Sequence, residues 1–364
     1  MNNRRAMVFH APYPMEDNPT GASRVRPHRM RQAFSDLGYE VVDVSGTKPE
    51  RRHALKMLKS KTNRGWRPDF MYSENSTMPN LFATSIKEGV NPFLDTSIMG
   101  VLHNARVPLG MFYRDAYWKF SRYRRKNIYG LMTVPLNLLD LYGYRRNKLH
   151  LFLPSIQMAK ILRLKPPLTW SALPPAGDTD KVLPLPQSDL ELLYVGGFIG
   201  HYQFDVFLQA LSDVSNVEMN IVTRRNEWEE TILKKQDLPI KQIHPYHLNT
   251  YDLEPLFARS QVCVLAVNPS EYWDFAVPFK LFEYISYGRP ILASAGTEAA
   301  RIVEKLDVGW VVPYERRSIA RMIMWLRDHP EEIAQKAENT REAAVNNTWL
   351  NRAQTVVDTL TTPE

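Results

Sequence analysis

The sequence predicts an α/β protein made of two doubly wound domains that face each other across a cleft. Its 364 residues exceed the roughly 250–300 residues at which a single core stops growing. Short apolar runs alternate with helical patterns in both halves, which is typical of βαβ units and parallel sheets. A stretch rich in Pro, Gly and Asp, residues 168–189, interrupts this alternation near the middle of the chain. It is therefore the expected boundary between the domains.

The first domain is expected to span residues 1–180. Helices are predicted around 22–37 and 49–61, and strands are predicted at 6–10, 41–44, 68–72 and 108–113. His10, Glu74 and Asp115 lie at the ends of three of these strands. Because the carboxyl ends of parallel strands meet at one edge of a sheet, these side chains are expected to point to a common crevice.

The second domain is expected to span residues 186–346 and to repeat the same architecture. Strands are predicted at 190–195, 217–223, 240–244, 262–267, 290–294 and 308–312. After Pro313 only helical pattern remains. Residues 347–364 are predicted to form a last helix that crosses back to the first domain.

Charge is distributed unevenly between the two halves. Residues 1–185 hold 29 Lys and Arg against 14 Asp and Glu, whereas residues 186–364 hold 17 against 25, within a net charge of +7. A basic half attracts anionic partners. Residues 117–148 interleave basic, aromatic and apolar side chains, which suits an anionic membrane surface, although a solvated helix face explains the pattern equally well. Nucleic acid is not expected as a partner, because no recognised binding motif accompanies the charge.

The sequence predicts a cytoplasmic protein, with attachment to the inner face of the cell membrane left open. No run of 18 residues lacks both charges and prolines, so no transmembrane helix is expected. The N-terminus lacks the apolar segment of a signal peptide. The single cysteine, Cys263, lies in an apolar run and fits a reducing compartment.

The most informative segment is Pro278–Ser294, which reads as a loop, a short helix, a turn and a strand. Lys280 and Glu283 are three residues apart and are therefore neighbours near the helix N-terminus. A cation there can hold a diphosphate, and a carboxylate one turn later can accept hydrogen bonds from ribose hydroxyls. An ordinary Glu–Lys pair that supports its own helix remains the alternative.

This segment, PFKLFEYISYGRPILAS, resembles the nucleotide-sugar motif of GT-B glycosyltransferases of polysaccharide assembly. The resemblance implies a hexosyltransferase that moves a sugar from a UDP or GDP donor to a lipid-linked or saccharide acceptor in cell-surface glycoconjugate synthesis. It also implies that Lys280 contacts the donor phosphates and Glu283 the ribose. Gly197, Phe279 and Leu281 are expected to line the same donor site.

Two positions depart from the family pattern. The second Glu that many retaining members carry eight residues before Glu283 is replaced by Phe275, with Asp274 adjacent. The loop after the first strand of the second domain lacks the family's diphosphate-binding Arg and Lys. Arg224 and Arg225, at the end of the strand predicted at 217–223, could substitute for them, or they could be an exposed pair on a loop.

The expected chemistry needs neither a metal nor a cofactor besides the donor, because cations and helix N-termini can stabilise a leaving diphosphate. Asp115 is the first candidate for the catalytic base, because it ends an apolar strand at the expected cleft beside the basic, aromatic segment that could hold a lipid-linked acceptor. The region is also similar to the Tyr, Arg and Asp cluster of the inverting glucuronosyltransferase of xanthan assembly. Capping of the next helix is the alternative role of Asp115, and His10 is the second catalytic candidate. The candidates for acceptor binding are Glu74, Arg24 and Arg114.

Two other classes of function remain open from the sequence. A nucleotide-sugar epimerase or a phosphorylase could share the architecture. A non-catalytic basic protein that binds membranes or nucleic acid could also have this two-domain fold.

Overall fold

The computed structural model describes residues 5–16, 22–124, 126–197, 204–234, 240–249 and 252–362. The chain divides into two units. The first comprises Met1–Pro174 together with Trp349–Glu364, and the second comprises Pro175–Thr348. The boundary expected at residues 180–186 lies a few residues after this division.

The first unit is built on a six-stranded parallel sheet with the order β2-β1-β3-β4-β5-β6. Three of its strands, β1, β3 and β4, are buried along nearly their whole length, as expected for a sheet covered on both faces. The strands are β1 (Ala6–His10), β2 (Glu40–Asp43), β3 (Phe70–Glu74), β4 (Leu109–Phe112), β5 (His150–Leu153) and β6 (Thr169–Ala172).

Helices connect and cover these strands. They are α1 (Ala22–Asp36), α2 (Lys48–Asn63), α3 (Leu94–Asn104), α4 (Ile128–Arg146) and α5 (Gln157–Leu162). A capping box between Thr47 and Glu50 fixes the start of α2, because each side chain satisfies a backbone N–H at the helix end.

The second unit contains another six-stranded parallel sheet, with the order β12-β11-β10-β7-β8-β9. Cys263 is fully buried in its core. The strands are β7 (Glu191–Val195), β8 (Glu218–Val222), β9 (Ile243–Tyr246), β10 (Val262–Leu265), β11 (Ile291–Ser294) and β12 (Gly309–Val312).

The helices of the second unit follow its strands, and the last helix of the chain belongs to the first unit. The helices of the second unit are α6 (Asp205–Leu211), α7 (Arg225–Lys234), α8 (Glu254–Arg259), α9 (Phe279–Ser286), α10 (Glu298–Leu306), α11 (Arg316–Asp328) and α12 (Pro330–Asn346). The last helix, α13 (Trp349–Thr361), packs against α1. The predicted fold class, two Rossmann-like domains with a C-terminal helix on the first, is confirmed. Among the described helices, none is both long and apolar enough to cross a bilayer.

Both sheets change winding direction at a central pair of strands. In the first sheet the order reverses between β1 and β3, and in the second it reverses between β7 and β10. Ligands of doubly wound folds bind at the carboxyl ends of strands at such points. These two sheet edges are therefore where candidate sites are expected.

The sequence-based prediction differs from the structure at three strands. Strands β5 and β6 were not predicted, and β9 begins at Ile243 instead of at residue 240. Most of β6 is exposed or half-buried at a sheet edge, so its sequence lacks the apolar run that signals a buried strand.

Candidate functional site

Helix α9 places Lys280 at the carboxyl end of the second sheet. Pro278 precedes the helix in an extended conformation, a residue type suited to the start of a helix because its fixed φ fits there. Lys280 is only 9% exposed. Its Nζ donates a hydrogen bond to the Tyr194 hydroxyl at 3.2 Å and lies 4.3 Å from the centroid of the Tyr194 ring.

Two glycines after β7 leave space for neighbouring side chains, Gly196 for Lys280 and Gly197 for Glu227. Gly196 has a φ of +142°, and a methyl group at this position would overlap with the Nζ of Lys280. At Gly197 a Cβ would lie 2.9 Å from a carboxylate oxygen of Glu227. The backbone of Gly197 also accepts a hydrogen bond from the Tyr194 hydroxyl at 2.6 Å. The turn is therefore shaped around a buried ammonium group and a nearby carboxylate.

Glu227 joins this group, although no sequence pattern singled it out. It lies in the first turn of α7 and is 7% exposed. Its Oε1 accepts a hydrogen bond from Arg224 Nη1 at 3.1 Å, while the Arg224 side chain is 82% exposed. Arg224 thus lies at the edge of the group, as a cation that extends into solvent.

The electrostatics of Lys280 suit a ligand that brings negative charge. Burial lowers the pKa of Lys280 to about 7, despite the opposing charges of Glu283 and Glu227. The two carboxylates therefore only partly compensate the burial of the ammonium group. An arriving phosphate would favour its protonated form.

Glu283, one turn after Lys280, is half-buried. Burial raises the pKa of Glu283, and the positive charges of Lys181 and Lys280 oppose this rise. Lys181 belongs to a short turn, Thr179–Lys181, that packs against α9. Lys181 also forms an ion pair with Asp178 at 3.3 Å.

The other predicted donor residues are placed differently. Leu281 is fully buried in an apolar cluster, so only its backbone can reach a ligand. Phe279 is half-buried at the start of α9. Phe275, at the position of the missing glutamate, is buried, and the adjacent Asp274 pairs with Arg301 at 2.9 Å.

At the switch point of the first sheet, His10 lies in a buried network. Its Nδ1 lies 2.8 Å from the Ser73 hydroxyl, and its Nε2 lies 3.0 Å from Asp95 Oδ1. Asp95 also bonds Arg51. Because both ring nitrogens are engaged and the ring is fully buried, the geometry gives His10 a role in holding β1, β3 and α3 together.

Glu74 and Arg114 lie beside each other at the ends of β3 and β4. Glu74 is fully buried, and its Oε1 accepts hydrogen bonds from Arg26 Nε at 3.0 Å and from the Tyr72 hydroxyl at 2.7 Å. Arg114 Nη2 lies 3.6 Å from Glu74 Oε2 and donates a hydrogen bond to the Tyr13 hydroxyl at 2.8 Å. The burial of Glu74 leaves Arg114 as the more accessible member of this pair.

Asp115 and Arg24 retain more solvent exposure. Asp115 is half-buried, and its Oδ1 accepts a hydrogen bond from the backbone N–H of Ala116 at 2.6 Å. Arg24 is exposed and pairs with Glu16. Of the three groups expected at strand ends, His10, Glu74 and Asp115, only Asp115 keeps partial exposure.

Part of the segment predicted to lie at a lipid surface is folded inward. Trp118 is 3% exposed and donates a hydrogen bond from Nε1 to the Tyr113 hydroxyl at 3.0 Å. On α4, by contrast, Leu131, Leu138 and Tyr142 are 72%, 50% and 64% exposed. Their spacing places these three side chains on one face of the helix.

Comparison with known proteins relates the second unit to a family. Residues 189–329 match the family model described as glycosyl transferases group 1. Among curated proteins, none matches this sequence.

Solved structures relate the whole chain to the GT-B fold. Sucrose-phosphate synthase from Thermosynechococcus elongatus is similar, with a TM-score of 0.65 at 12% identity over 97% of each chain. HepE from Anabaena, in complex with UDP, has a TM-score of 0.69 at 12% identity over 98% of this chain and 99% of that one. WaaG, a glycosyltransferase involved in lipopolysaccharide biosynthesis, has a TM-score of 0.61 at 17% identity over 98% of this chain and 100% of that one. The resemblance to GT-B proteins noted in the sequence is thereby confirmed.

Proposed function

We propose that this chain, which has the GT-B fold and matches the glycosyl transferases group 1 model over residues 189–329, is a glycosyltransferase whose donor is a nucleoside-diphosphate sugar. The observation that carries this proposal is the buried ammonium of Lys280 beside Gly196 at the carboxyl end of β7. A small cation in a turn shaped by glycines fits a diphosphate, since backbone and cation can approach the phosphate oxygens together.

A donor of the UDP or GDP type fits the remaining groups. Glu283 lies one turn after Lys280, so its carboxylate can accept hydrogen bonds from the ribose hydroxyls. Arg224 extends into solvent beside Glu227 and can approach the outer phosphate. A UDP donor is favoured because the similarly folded Anabaena protein was solved with UDP and with UDP-glucose.

The reaction requires stabilisation of the leaving diphosphate and removal of a proton from the acceptor hydroxyl. In this proposal Lys280 and Arg224 stabilise the charge that develops on the diphosphate. Asp115 removes the proton, because it follows a strand of the first sheet and, unlike Glu74 and His10, keeps partial exposure. Glu74 and His10 hold neighbouring groups in place.

The proposed reaction is independent of metal ions. Among the described residues, no group of three His, Cys, Asp or Glu side chains is arranged to hold a metal. The test is activity in excess EDTA, where the proposal expects an unchanged rate. A rate that is lost in EDTA and restored by Mg²⁺ or Mn²⁺ would overturn this part.

The acceptor is proposed to be a saccharide or a lipid-linked saccharide used in cell-surface glycoconjugate assembly. A protein acting on a lipid-linked acceptor would work at the inner face of the cell membrane. The exposed face of α4 supports such contact, because Leu131, Leu138 and Tyr142 share it with the exposed Arg145 near the helix end. Apolar side chains next to a cation suit the boundary of an anionic bilayer.

Membrane contact is tested by sedimentation with anionic liposomes at low salt. The double variant L138S/Y142S is expected to bind less than the parent protein, since it removes two exposed apolar groups from this face. Leu350→Ser, which changes an apolar residue on α13 that is 45% exposed, is the matched control. Equal sedimentation of all three proteins would contradict the proposed contact.

The donor is tested by thermal denaturation with a panel of nucleotides and nucleotide sugars. A ligand at a hundred times its Kd adds about 2.7 kcal/mol of stability, so the true donor should raise the melting temperature clearly. A panel in which no nucleoside diphosphate changes the melting temperature would overturn the proposal. Turnover of the bound nucleotide sugar without an acceptor would indicate an epimerase, and dependence on phosphate would indicate a phosphorylase.

A further inference from the structure

The first unit contains a buried charge cluster, formed by Tyr13, Arg26, Glu74 and Arg114, that carries more positive than negative charge. Arg26 is 3% exposed and bonds Glu74 through Nε at 3.0 Å. Arg114 is 13% exposed and lies 3.6 Å from the other oxygen of Glu74. One carboxylate therefore faces two guanidinium groups.

Glu74 interacts more closely with Arg26 than with Arg114. Arg26 bonds the closer oxygen, and its guanidinium also lies 3.4 Å from the centroid of the Phe112 ring. Glu74 Oε2, the oxygen nearer to Arg114, has no hydrogen-bond donor within the described ranges. Arg114 thus forms an ion pair with Glu74 but no hydrogen bond to it.

Arg114 is nevertheless held in a defined position. Its backbone N–H donates to Asn75 Oδ1 at 2.8 Å, and its Nη2 donates to the Tyr13 hydroxyl at 2.8 Å. Its Nε is buried and has no partner within the part of the chain that the structure describes. A largely buried guanidinium with an unused donor is costly unless an anion completes it.

The Tyr13 hydroxyl, which is bonded to Arg114, is a second potential donor. Its oxygen accepts the bond from Arg114, so the hydroxyl proton remains for another acceptor. Burial raises the pKa of Tyr13, and the charges of Arg114 and Arg24 only partly oppose this rise. The hydroxyl therefore stays protonated at neutral pH and remains a donor.

The position of the cluster agrees with ligand binding. Glu74 ends β3, Arg114 follows β4, and Tyr13 follows β1, so the cluster lies at the switch point of the first sheet. Such edges are where doubly wound sheets bind ligands.

We propose that Arg114 and Tyr13 bind an anionic group, a phosphate or a carboxylate, of the acceptor. The inference rests on the proposed function, because that function makes the first unit the acceptor domain. A planar guanidinium with an adjacent hydroxyl is well suited to the oxygens of either group. Glu74 and Arg26 are positioning residues, which orient Arg114 without touching the acceptor.

The test measures binding of inorganic pyrophosphate by isothermal titration calorimetry in a Lys280→Ala background. Lys280→Ala is expected to weaken pyrophosphate binding at the donor site, so the binding heat that remains is assigned to the first unit. Arg114→Gln and Tyr13→Phe are added separately. Arg31→Gln, on α1 of the same unit and paired with Asp43 near the surface, is the matched control.

We expect Arg114→Gln to weaken pyrophosphate binding by about tenfold to a hundredfold, the range for a lost charged hydrogen bond. Tyr13→Phe, which removes one hydroxyl and keeps the ring, is expected to weaken it by a smaller factor. Arg31→Gln should bind like its parent. If Arg114→Gln and Tyr13→Phe, each folded by circular dichroism, also bind like their parent, the inference is wrong.

Competition identifies the source of the anion. Displacement of pyrophosphate by a short prenyl phosphate would assign a lipid phosphate, and displacement by glucuronate would assign an acidic sugar. Displacement by neither would overturn the inference. Failure of the proposed function is recognised separately, because UDP and GDP would then bind the wild-type protein and Lys280→Ala equally.

Discussion

The carboxyl ends of the two sheets differ in which parts of the chain supply their cationic side chains. In the second unit one short helix supplies both Lys280 and Glu283, and Gly196 of the β7 turn leaves space for the lysine. In the first unit the polar and charged groups come from four separate segments, at Tyr13, Arg26, Glu74 and Arg114.

This difference shows how each site is stabilised. Burial lowers the pKa of Lys280 to about 7, although the charges of Glu283 and Glu227 oppose this shift, so a ligand can change its charge state. The guanidinium groups of the first unit remain charged at any physiological pH. The second unit is therefore suited to a charged ligand that binds and is then released. The first unit is suited to holding a bound group in a fixed orientation.

The largest expected effect is that of Asp115→Asn on kcat, which distinguishes a role in catalysis from a role in nucleotide binding. Asp115→Asn keeps the shape of the side chain and removes its basicity. We expect kcat of sugar transfer to fall by about a hundredfold to ten-thousandfold, the usual contribution of a general base, while nucleotide affinity is unchanged. Asp36→Asn, an exposed carboxylate at the end of α1, is the control. Full turnover by Asp115→Asn would remove Asp115 from the mechanism.

Gly196→Ala tests the space that the β7 turn provides for Lys280. The added methyl group overlaps with Nζ, so the ammonium must move away from the turn. We expect affinity for a nucleoside diphosphate to fall by about tenfold to a hundredfold, as for loss of a charged hydrogen bond.

The control for this variant is Gly38→Ala in the first unit. Gly38 also has a positive φ, of +84°, but no atom lies within 4 Å of an added Cβ. Both variants should lose about 1–2 kcal/mol of stability through backbone strain. Only Gly196→Ala should lose nucleotide affinity, and equal affinities for both would refute the role of the turn.

Nucleotide affinity is expected to depend on pH through Lys280. The free protein loses the Lys280 proton near pH 7, whereas a bound diphosphate favours the protonated form. Binding above pH 7 then requires uptake of a proton, so affinity should fall by up to about tenfold per pH unit between pH 7 and 9. Lys280→Met should show no such fall. A pH-independent Kd for the wild-type protein would contradict the assignment.

Arg224 should have the smallest effect, because its side chain is 82% exposed and water screens its charge. Arg224→Ala is expected to weaken nucleotide binding about twofold to fivefold, the scale of an exposed ion pair. Arg225→Ala, next to it in the sequence and also exposed, is the comparison. Equal losses in both variants would indicate a general field of positive charge instead of a specific contact.

The sequence predicts the second unit's site better than the first unit's. Lys280, Glu283 and the turn after β7 follow from local spacing, because one helix and one turn bring them together. Glu227 and Tyr13 could not be predicted, since their positions depend on how α7 and the loop after β1 pack. The same limit applies to the burial of Glu74, which local sequence does not reveal.

Burial alone did not decide which strands were predictable, because β5 is mostly buried and was not predicted. Strands with continuous apolar runs, such as β1 and β10, were identified because both faces are covered. Strand β6, exposed at the sheet edge, carries no such pattern. Trp118 was assigned to a surface segment by its neighbours, yet its indole is buried against Tyr113.

Calorimetric titration of UDP and GDP tests the central claim most directly, namely that Lys280 and Glu283 hold the nucleoside diphosphate. The proteins compared are wild type, Lys280→Ala, Glu283→Gln and Lys305→Ala, the last being an exposed lysine on α10. We expect at least one nucleotide to bind wild type and Lys305→Ala equally, and to bind the other two about tenfold to a hundredfold more weakly. Undiminished affinity in both Lys280→Ala and Glu283→Gln would contradict the claim.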